Sequence, residues 1–247
     1  MSSPTVIENL TLVLQNQLRY GRERGEAPKF GDDFRFLIFA LGHFAVASAQ
    51  LSQDLWVLFE TGSKRNGFFV EFGAGDGVLL SNTYLLEHAY GWTGVLAEPN
   101  PAFHDALARN RKCTVSMKCI GGQSGDQVVF NNTKDPHLSA IDSYSSEDLH
   151  AAKRADGTRV TMETQSLGDL LRDARAPSVI DYLSVDTEGS EFDILSGFDF
   201  RNYDVRLITV EHNYTPRRQE IYNLLVRNGF RRRFEHLSDF DDWYVKA

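Results

Sequence analysis

Two stretches of the chain, and two strand ends further along, carry residue types and spacings that could do chemistry. Glu71-Phe72-Gly73-Ala74-Gly75-Asp76-Gly77 closes an apolar run, residues 68–72, and precedes a helix-like run over 84–90. Glycines at every second position let a backbone turn sharply and approach a ligand closely. The helix beyond offers unpaired amides to an anionic group. A second apolar run, residues 94–98, ends in Glu98, and an acid there can accept two hydrogen bonds from a ribose diol. Later, Asp186 with Glu188 ends the run 182–186, and Glu211-His212-Asn213 ends the run 207–211. Three acids and an imidazole converging at neighbouring strand ends repel one another unless a cation sits among them. That cation is either part of a cofactor or a divalent metal, since carboxylate plus imidazole can bind Mg²⁺, Mn²⁺ or a softer ion.

Two nucleotide cofactors compete for the glycine turn. A nicotinamide dinucleotide needs Gly-x-Gly-x-x-Gly to bring backbone against a pyrophosphate. Here the third glycine, Gly77, comes one residue early, and Glu71 and Asp76 set negative charge beside the turn. Carboxylates repel a pyrophosphate, whereas they attract the ammonium and sulfonium groups of S-adenosylmethionine. The sign of the charge favours the sulfonium cofactor. The bland alternatives are a tight strand-to-helix turn and, at Glu98, a solvated acid.

Were an alcohol the methyl acceptor, it would need a base or a Lewis acid at neutral pH. His212 could take the proton directly, or a metal on Asp186, Glu211 and His212 could lower the hydroxyl's pKa. Alignment alone is the third possibility. Against these roles, Asp186 could cap the helix that Ser190-Glu191 begins, Glu188-Gly189 could be its turn, and His212 could be a hydrogen-bonded strand-end histidine. His43 reads as a satisfied core histidine, and His137 as a solvated residue of a loop that could instead close over substrate. Cys113 and Cys119 read as ordinary buried thiols.

The elements that must position these residues follow from the rest of the chain. Its 247 residues are 42% hydrophobic with a formal charge of −8, which fits a soluble α/β protein and argues against a general nucleic-acid binder. Two cysteines make no disulfide framework. No leader pattern suggests secretion, so the cytoplasm is the expected compartment. Residues 1–66 read as a helical cap: Val6, Leu10, Val13, Leu14 and Leu18 recur at helical spacing, and residues 36–53 form an uncharged stretch read as one long buried helix rather than a membrane span. From 67 onward short apolar runs alternate with helices, the texture of a parallel sheet with crossovers. Asn100 with Pro101, and Thr215 with Pro216, announce helix starts, Ser166 with Asp169 a capping box, and Gly229 a stop. Residues 121–165 look less regular, with strands near 128–130 and 159–162 around a loop. Two final runs, 230–234 and 243–245, read as a hairpin in which Arg231-Arg232-Arg233 pairs with nearby acids.

Several blocks together resemble the FkbM family of S-adenosylmethionine-dependent methyltransferases. They are Gln53-Asp54, the turn from Glu71 to Gly77, Leu80-Ser81-Asn82-Thr83-Tyr84 with Glu87, Gly91-Trp92, and Glu98-Pro99-Asn100-Pro101. Residues 183–191, Glu211-His212-Asn213 and Asp242-Trp243-Tyr244-Val245 extend the match over roughly residues 50–247. The resemblance implies a Rossmann-like class I methyltransferase, with a mostly parallel seven-stranded sheet, a C-terminal antiparallel hairpin and an N-terminal helical cap. It implies S-adenosyl-L-methionine held by Glu71, Gly73, Ala74, Gly75, Asp76, Gly77, Ser81, Asn82, Glu98, Pro99, Asn100 and Asp186. It also implies O-methylation of a sugar or secondary-metabolite hydroxyl, a small-molecule acceptor, with no nucleic acid or membrane partner. A metal would sit on Asp186, Glu211 and His212, and His212, Asp186 and Glu188 would do the catalysis. An oxidoreductase and a non-catalytic cofactor-binding module are the competing readings, and the apolar cap leaves room for a homodimer.

Overall fold

The computed structural model describes residues 31–144 and 151–247, so the helix read over residues 6–18 lies outside the described residues. The chain divides into two units, residues 1–47 and 48–247. In the first, a helix spans Asp32–His43, with Asp32 and Asp33 in its first turn, where acids suit the helix dipole. A single 3₁₀ turn, Phe44–Val46, follows. The expected long helix over 36–53 is therefore two separate elements. The break has a local cause: the backbone amides of Ser48 and Ala49 donate to the Asp54 carboxylate, at 2.7 and 3.2 Å, instead of continuing a helical ladder. His43 is hydrogen-bonded, with Nδ1 2.8 Å from the Phe39 carbonyl oxygen, but it is half-buried beside the exposed Phe44 rather than in a core. Among the described residues no helix is long and apolar enough to cross a membrane.

The second unit is built on a seven-stranded sheet in the order β10-β11-β9-β8-β1-β2-β3. The strands are β1 (Phe68–Phe72), β2 (Thr93–Ala97), β3 (Thr114–Ser116), β8 (Val179–Val185), β9 (Asp204–Glu211), β10 (Phe230–Arg233) and β11 (Asp241–Lys246). The β1, β2, β3, β8 and β9 pairings are all parallel, whereas β11 lies antiparallel between β9 and β10. Central strands covered on both faces become apolar throughout, and β8 runs Val-Ile-Asp-Tyr-Leu-Ser-Val with six of seven residues buried. Its one buried acid, Asp181, is held by Lys64 at 2.7 Å and by the Phe68 amide at 3.0 Å. The order turns back at β1, with β2 on one side and β8 on the other. In doubly wound sheets that reversal opens a crevice beyond the strand C-termini.

Three details differ from the sequence reading. The helix Gln53–Glu60 belongs to the second unit, not to a cap ending at 66. Trp56 explains why, since it is fully buried and stacks on Trp243 of β11 with ring centroids 5.3 Å apart. Residues 119–166 are more ordered than expected: β4 (Cys119–Gly121), β5 (Gln127–Asn132), β6 (Ala140–Ile141) and β7 (Thr158–Ser166) form a second sheet in the order β4-β7-β5-β6. β4 and β6 are only three and two residues long, and β5 and β7 are half-exposed, which hid their pairing. Thr215 caps nothing with its side chain, and Pro216 occupies the cap position of the helix Arg217–Arg227. Asn100 and Ser166 do cap as expected, accepting from the amides of Ala102 and Asp169.

Candidate functional site

The C-terminal ends of β1, β2, β8 and β9 meet around a cavity of about 460 Å³, within the range of small-molecule sites. Gly73, Ala74 and Gly75 line it after β1, Glu98 and Pro99 after β2, Asp186 and Glu188 after β8, and Glu211 and Asn213 after β9. The turn needs its glycines. Gly73 has φ of +71°, and a Cβ on it would lie 2.0 Å from the Asp186 carbonyl oxygen, so β1 and β8 could not both keep their course. Gly75 has φ of +54°, and its amide donates to Glu98 Oε2 at 2.9 Å. The other Glu98 oxygen accepts from the Asn100 amide at 2.8 Å. Both oxygens keep a further lone pair for a ligand donor. Burial, with Glu71 nearby, pushes the Glu98 carboxyl up to about 7 against the two amides that lower it.

Not every residue expected at the site faces it. Glu71 accepts from the Asn82 amide at 2.7 Å and from the hydroxyls of Ser81 and Thr83, and lies 3.6 Å from the Arg111 guanidinium. It braces the 81–83 turn and does not line the cavity. Asp76 caps the amides of Val78 and Leu79, both at 2.8 Å. Gly77 packs on Leu107 and Arg111. Asn100 ties its helix to the 136–139 segment, donating to Pro136 O at 3.2 Å and Ser139 Oγ at 3.0 Å. Ser81 and Asn82 do line the cavity. The Asn82 amide group donates to Ser184 Oγ at 2.9 Å, while its Oδ1 finds no partner among the described residues. The charge argument drawn from Glu71 and Asp76 therefore passes to other acids, those at the ends of β8 and β9.

Those acids are crowded. Asp186, Glu188 and Glu211 each bring a carboxylate oxygen within 4.8 Å of the others. Burial, the Asp241 charge and other acids nearby push the Asp186 carboxyl up to about 8. Burial and Asp186 likewise hold Glu211 well above the usual range. Glu211 Oε2 has no hydrogen-bond partner among the described residues. Among the described residues only Glu188 has a close cation, the buried Arg154. A second cation would relieve the rest.

His212 is the clearest departure. Successive residues at a strand end point to opposite faces, so with Glu211 lining the cavity, His212 does not. Its ring is buried, Nδ1 accepts from the Tyr214 amide at 3.0 Å, and Nε2 lies 3.9 Å from Asp242. It is placed neither to take a proton in the cavity nor to join Asp186 and Glu211 on an ion. With Glu188 in its place the donor set is all oxygen, and the case for a softer metal, which rested on the imidazole, falls.

The family model of the methyltransferase FkbM domain matches residues 71–243. The chain belongs to the FkbM methyltransferase family. No curated protein matches it. Solved structures of similar fold include a mutant of MtNAS in complex with S-adenosylmethionine, with 14% identity, 96% of this chain and 74% of that chain covered, and a TM-score of 0.35. Another is PH1948 from Pyrococcus horikoshii, named as a candidate RNA methyltransferase, with 13% identity, 86% and 98% covered, and a TM-score of 0.38. Likeness at that level carries no argument about the site. Family membership makes the chain an S-adenosylmethionine-dependent methyltransferase, and its strand order, with the reversed β11 inserted beside β9, is the class I arrangement anticipated from the resemblance.

The site of this methyltransferase also holds residues that sequence reasoning passed over. His137 is exposed, as a solvated loop residue should be, and it also lines the cavity, packed on Phe103 with ring centroids 4.8 Å apart. Cys119, taken for an ordinary thiol, lines it too, with its pKa pushed up to about 12 by burial and the Glu98 charge. Gln53 lines it and donates to Asp241 at 2.7 Å. Arg111 and Arg154, the buried cations that make the acid clusters tolerable, carried no sequence signal at all.

Proposed function

We propose that the chain is an O-methyltransferase acting on a hydroxyl of a sugar, glycoside or secondary metabolite, with S-adenosylmethionine in the 460 Å³ cavity. One observation carries the reading: the glycine turn, Glu98 and three crowded acids line a single cavity. The residues fit the cofactor. Glu98, with both oxygens fixed by backbone amides, is set to accept from a ribose diol. The unpartnered Oδ1 of Asn82 suits an ammonium, and the crowded acids after β8 and β9 suit a sulfonium. Bound there, S-adenosylmethionine supplies a methyl group on a positively charged sulfur, and transfer to an acceptor oxygen leaves a neutral thioether.

The protein aligns the acceptor oxygen with that methyl and takes up the hydroxyl proton. Glu211 Oε2 is the proton acceptor in this reading, because it is buried, unpartnered and at the cavity surface. An acid-lined cavity also favours a small neutral acceptor over a polyanion. The acids are assigned to the cofactor's cation, so no metal is invoked.

Calorimetric titration with S-adenosylhomocysteine, with NAD as comparator, tests the assignment. The homocysteine product should bind and NAD should not, and a chelator should leave the affinity unchanged. Glu98→Ala should weaken binding at least tenfold, since it removes two charge-assisted contacts. Unchanged affinity in that variant would sink the site assignment, and chelator sensitivity would restore the metal.

A further inference from the structure

His212 is fully enclosed and, in the reading above, does no chemistry, yet it shapes the cavity wall beside Glu211. Asn213 and Tyr214 both have positive φ, +43° and +56°. Asparagine tolerates the left-handed region; tyrosine rarely enters it. Two consecutive residues held there need bracing. The His212 and Asn213 amides donate to the Phe240 carbonyl at 2.9 and 3.3 Å, and the Thr215 amide returns to His212 O at 2.8 Å. The Tyr214 hydroxyl donates to Asp239. The remaining brace is the Tyr214 amide, which donates to His212 Nδ1 at 3.0 Å. That contact fixes the neutral tautomer with Nδ1 bare. The turn so held puts Asn213 and Tyr214 on the cavity surface beside Glu188 and Glu211, with Tyr214 58% exposed. Asn213 Nδ2 reaches towards Glu188 Oε2 at 3.5 Å.

We infer that His212 is a positioning residue: its Nδ1 holds the Asn213–Tyr214 turn in the strained form that makes the acceptor-side wall of the cavity. An amide and an exposed phenol ring side by side give a wall of hydrogen-bonding and apolar character, suited to the polar ring and apolar aglycone of a neutral glycoside. The inference rests on the cavity being the methyl-transfer site, and its test separates the two.

The variants are His212→Ala and His212→Asn, the latter because an Asn Oδ1 sits one bond from Cγ, where Nδ1 does in histidine. Each is assayed for S-adenosylhomocysteine affinity, for hydrogen exchange at the Tyr214 amide, and for methylation of p-nitrophenyl glycosides. His212→Ala should bind S-adenosylhomocysteine within twofold of the wild type, exchange the Tyr214 amide at least tenfold faster, and raise the glycoside KM about tenfold with kcat within twofold. His212→Asn should restore the exchange rate and KM. A kcat loss at unchanged KM would overturn the inference in favour of a direct proton-transfer role. An unchanged Tyr214 exchange rate in His212→Ala would overturn it outright, whether or not any glycoside is methylated. Failure of the wild type to bind S-adenosylhomocysteine would instead sink the reading of the cavity.

Discussion

Asp186 and Glu211, at the ends of neighbouring parallel strands, bring carboxylate oxygens within 4.8 Å of each other. Burial and the neighbouring acids hold both carboxyls above the usual range. Both line the cavity. Glu211→Gln removes the proton-accepting oxygen and one ionisable acid close to the cofactor's cation. It should cut the preference for S-adenosylmethionine over S-adenosylhomocysteine about tenfold, the order expected for one charge a few ångströms from a cation at intermediate dielectric. Paired titrations of the two ligands measure this, and methyl transfer should fall with it.

The same pair sets a pH dependence. The fold raises Asp186 from 3.8 to about 8, so the folded state keeps a proton that the unfolded chain releases. Below about pH 4 both states hold it and the contribution to stability is complete. Between about 4 and 8 it falls as pH rises, by at most about 1.4 kcal/mol per pH unit. Above that it changes no further. Thermal unfolding of the unligated protein should show the wild type losing stability relative to Glu211→Gln between pH 5.5 and 8. A gap that is constant with pH would show that the two acids do not titrate together.

Gly73 and Gly75 should respond differently to alanine. At Gly73 the new methyl meets a backbone oxygen at 2.0 Å, which cannot move without parting β1 from β8. Gly73→Ala should not fold. At Gly75 the nearest atom is the His137 ring at 3.2 Å, a side chain on a surface segment. Gly75→Ala should fold at a cost of roughly 1–2 kcal/mol for the left-handed backbone and bind S-adenosylhomocysteine more weakly, because the methyl enters the cavity.

Arg111 joins Glu71 and Glu87, and donates to Gly77 O at 3.1 Å and to Ser81 Oγ at 3.1 Å. Arg111→Ala strands two acids, one of them buried, and should cost about 3–5 kcal/mol. For a chain of this size the melting temperature would drop by roughly 6–20 °C. Measured well below that melting point, S-adenosylhomocysteine affinity should change little, since Glu71 serves the loop rather than the ligand.

Much of this was legible in the residues. Short runs located all seven strands of the main sheet, and β1, β2 and β8 stood out because strands covered on both faces leave a continuous apolar signal. Asn100-Pro101 and Ser166 announced their helices because capping is local chemistry. Glu98 and Asp186 were placed by their strand ends. What failed was non-local or was alternation ignored. Strand parity alone separates Glu211 from His212, so the two could not share an ion. The pairing of β5 with β7 carried no signal, since half-exposed strands such as Thr158–Ser166 mix polar and apolar residues on both faces. Glu71 looked like a ligand contact until Arg111, distant in sequence, accounted for its charge.

The helix Gln53–Glu60 makes a prediction about where the folding unit starts. Trp56 is buried against Trp243, and Arg233 pairs with Glu60 at 3.0 Å. A chain beginning at Ser48 should unfold cooperatively on heating, and one beginning at Gly67 should not. Trp56→Ala in the full chain should cost about 3–5 kcal/mol. Cooperative melting of the shorter piece would return that helix to a separate cap.

The strand order also dictates a sequence of events during synthesis. β1 pairs with β2 on one edge and β8 on the other, and β8 emerges from the ribosome long after both. At 5–20 residues per second the interval is on the order of ten seconds. Throughout it, Phe-Phe-Val-Glu-Phe stands as a bare hydrophobic edge, the kind of template on which nascent chains aggregate. The glycine turn that follows it is made early and completed late, so a stalled or truncated chain exposes its most adhesive surface at the very place where the finished protein would hold its cofactor. Yield in cells should therefore depend on chaperone capacity more than on the stability of the finished fold.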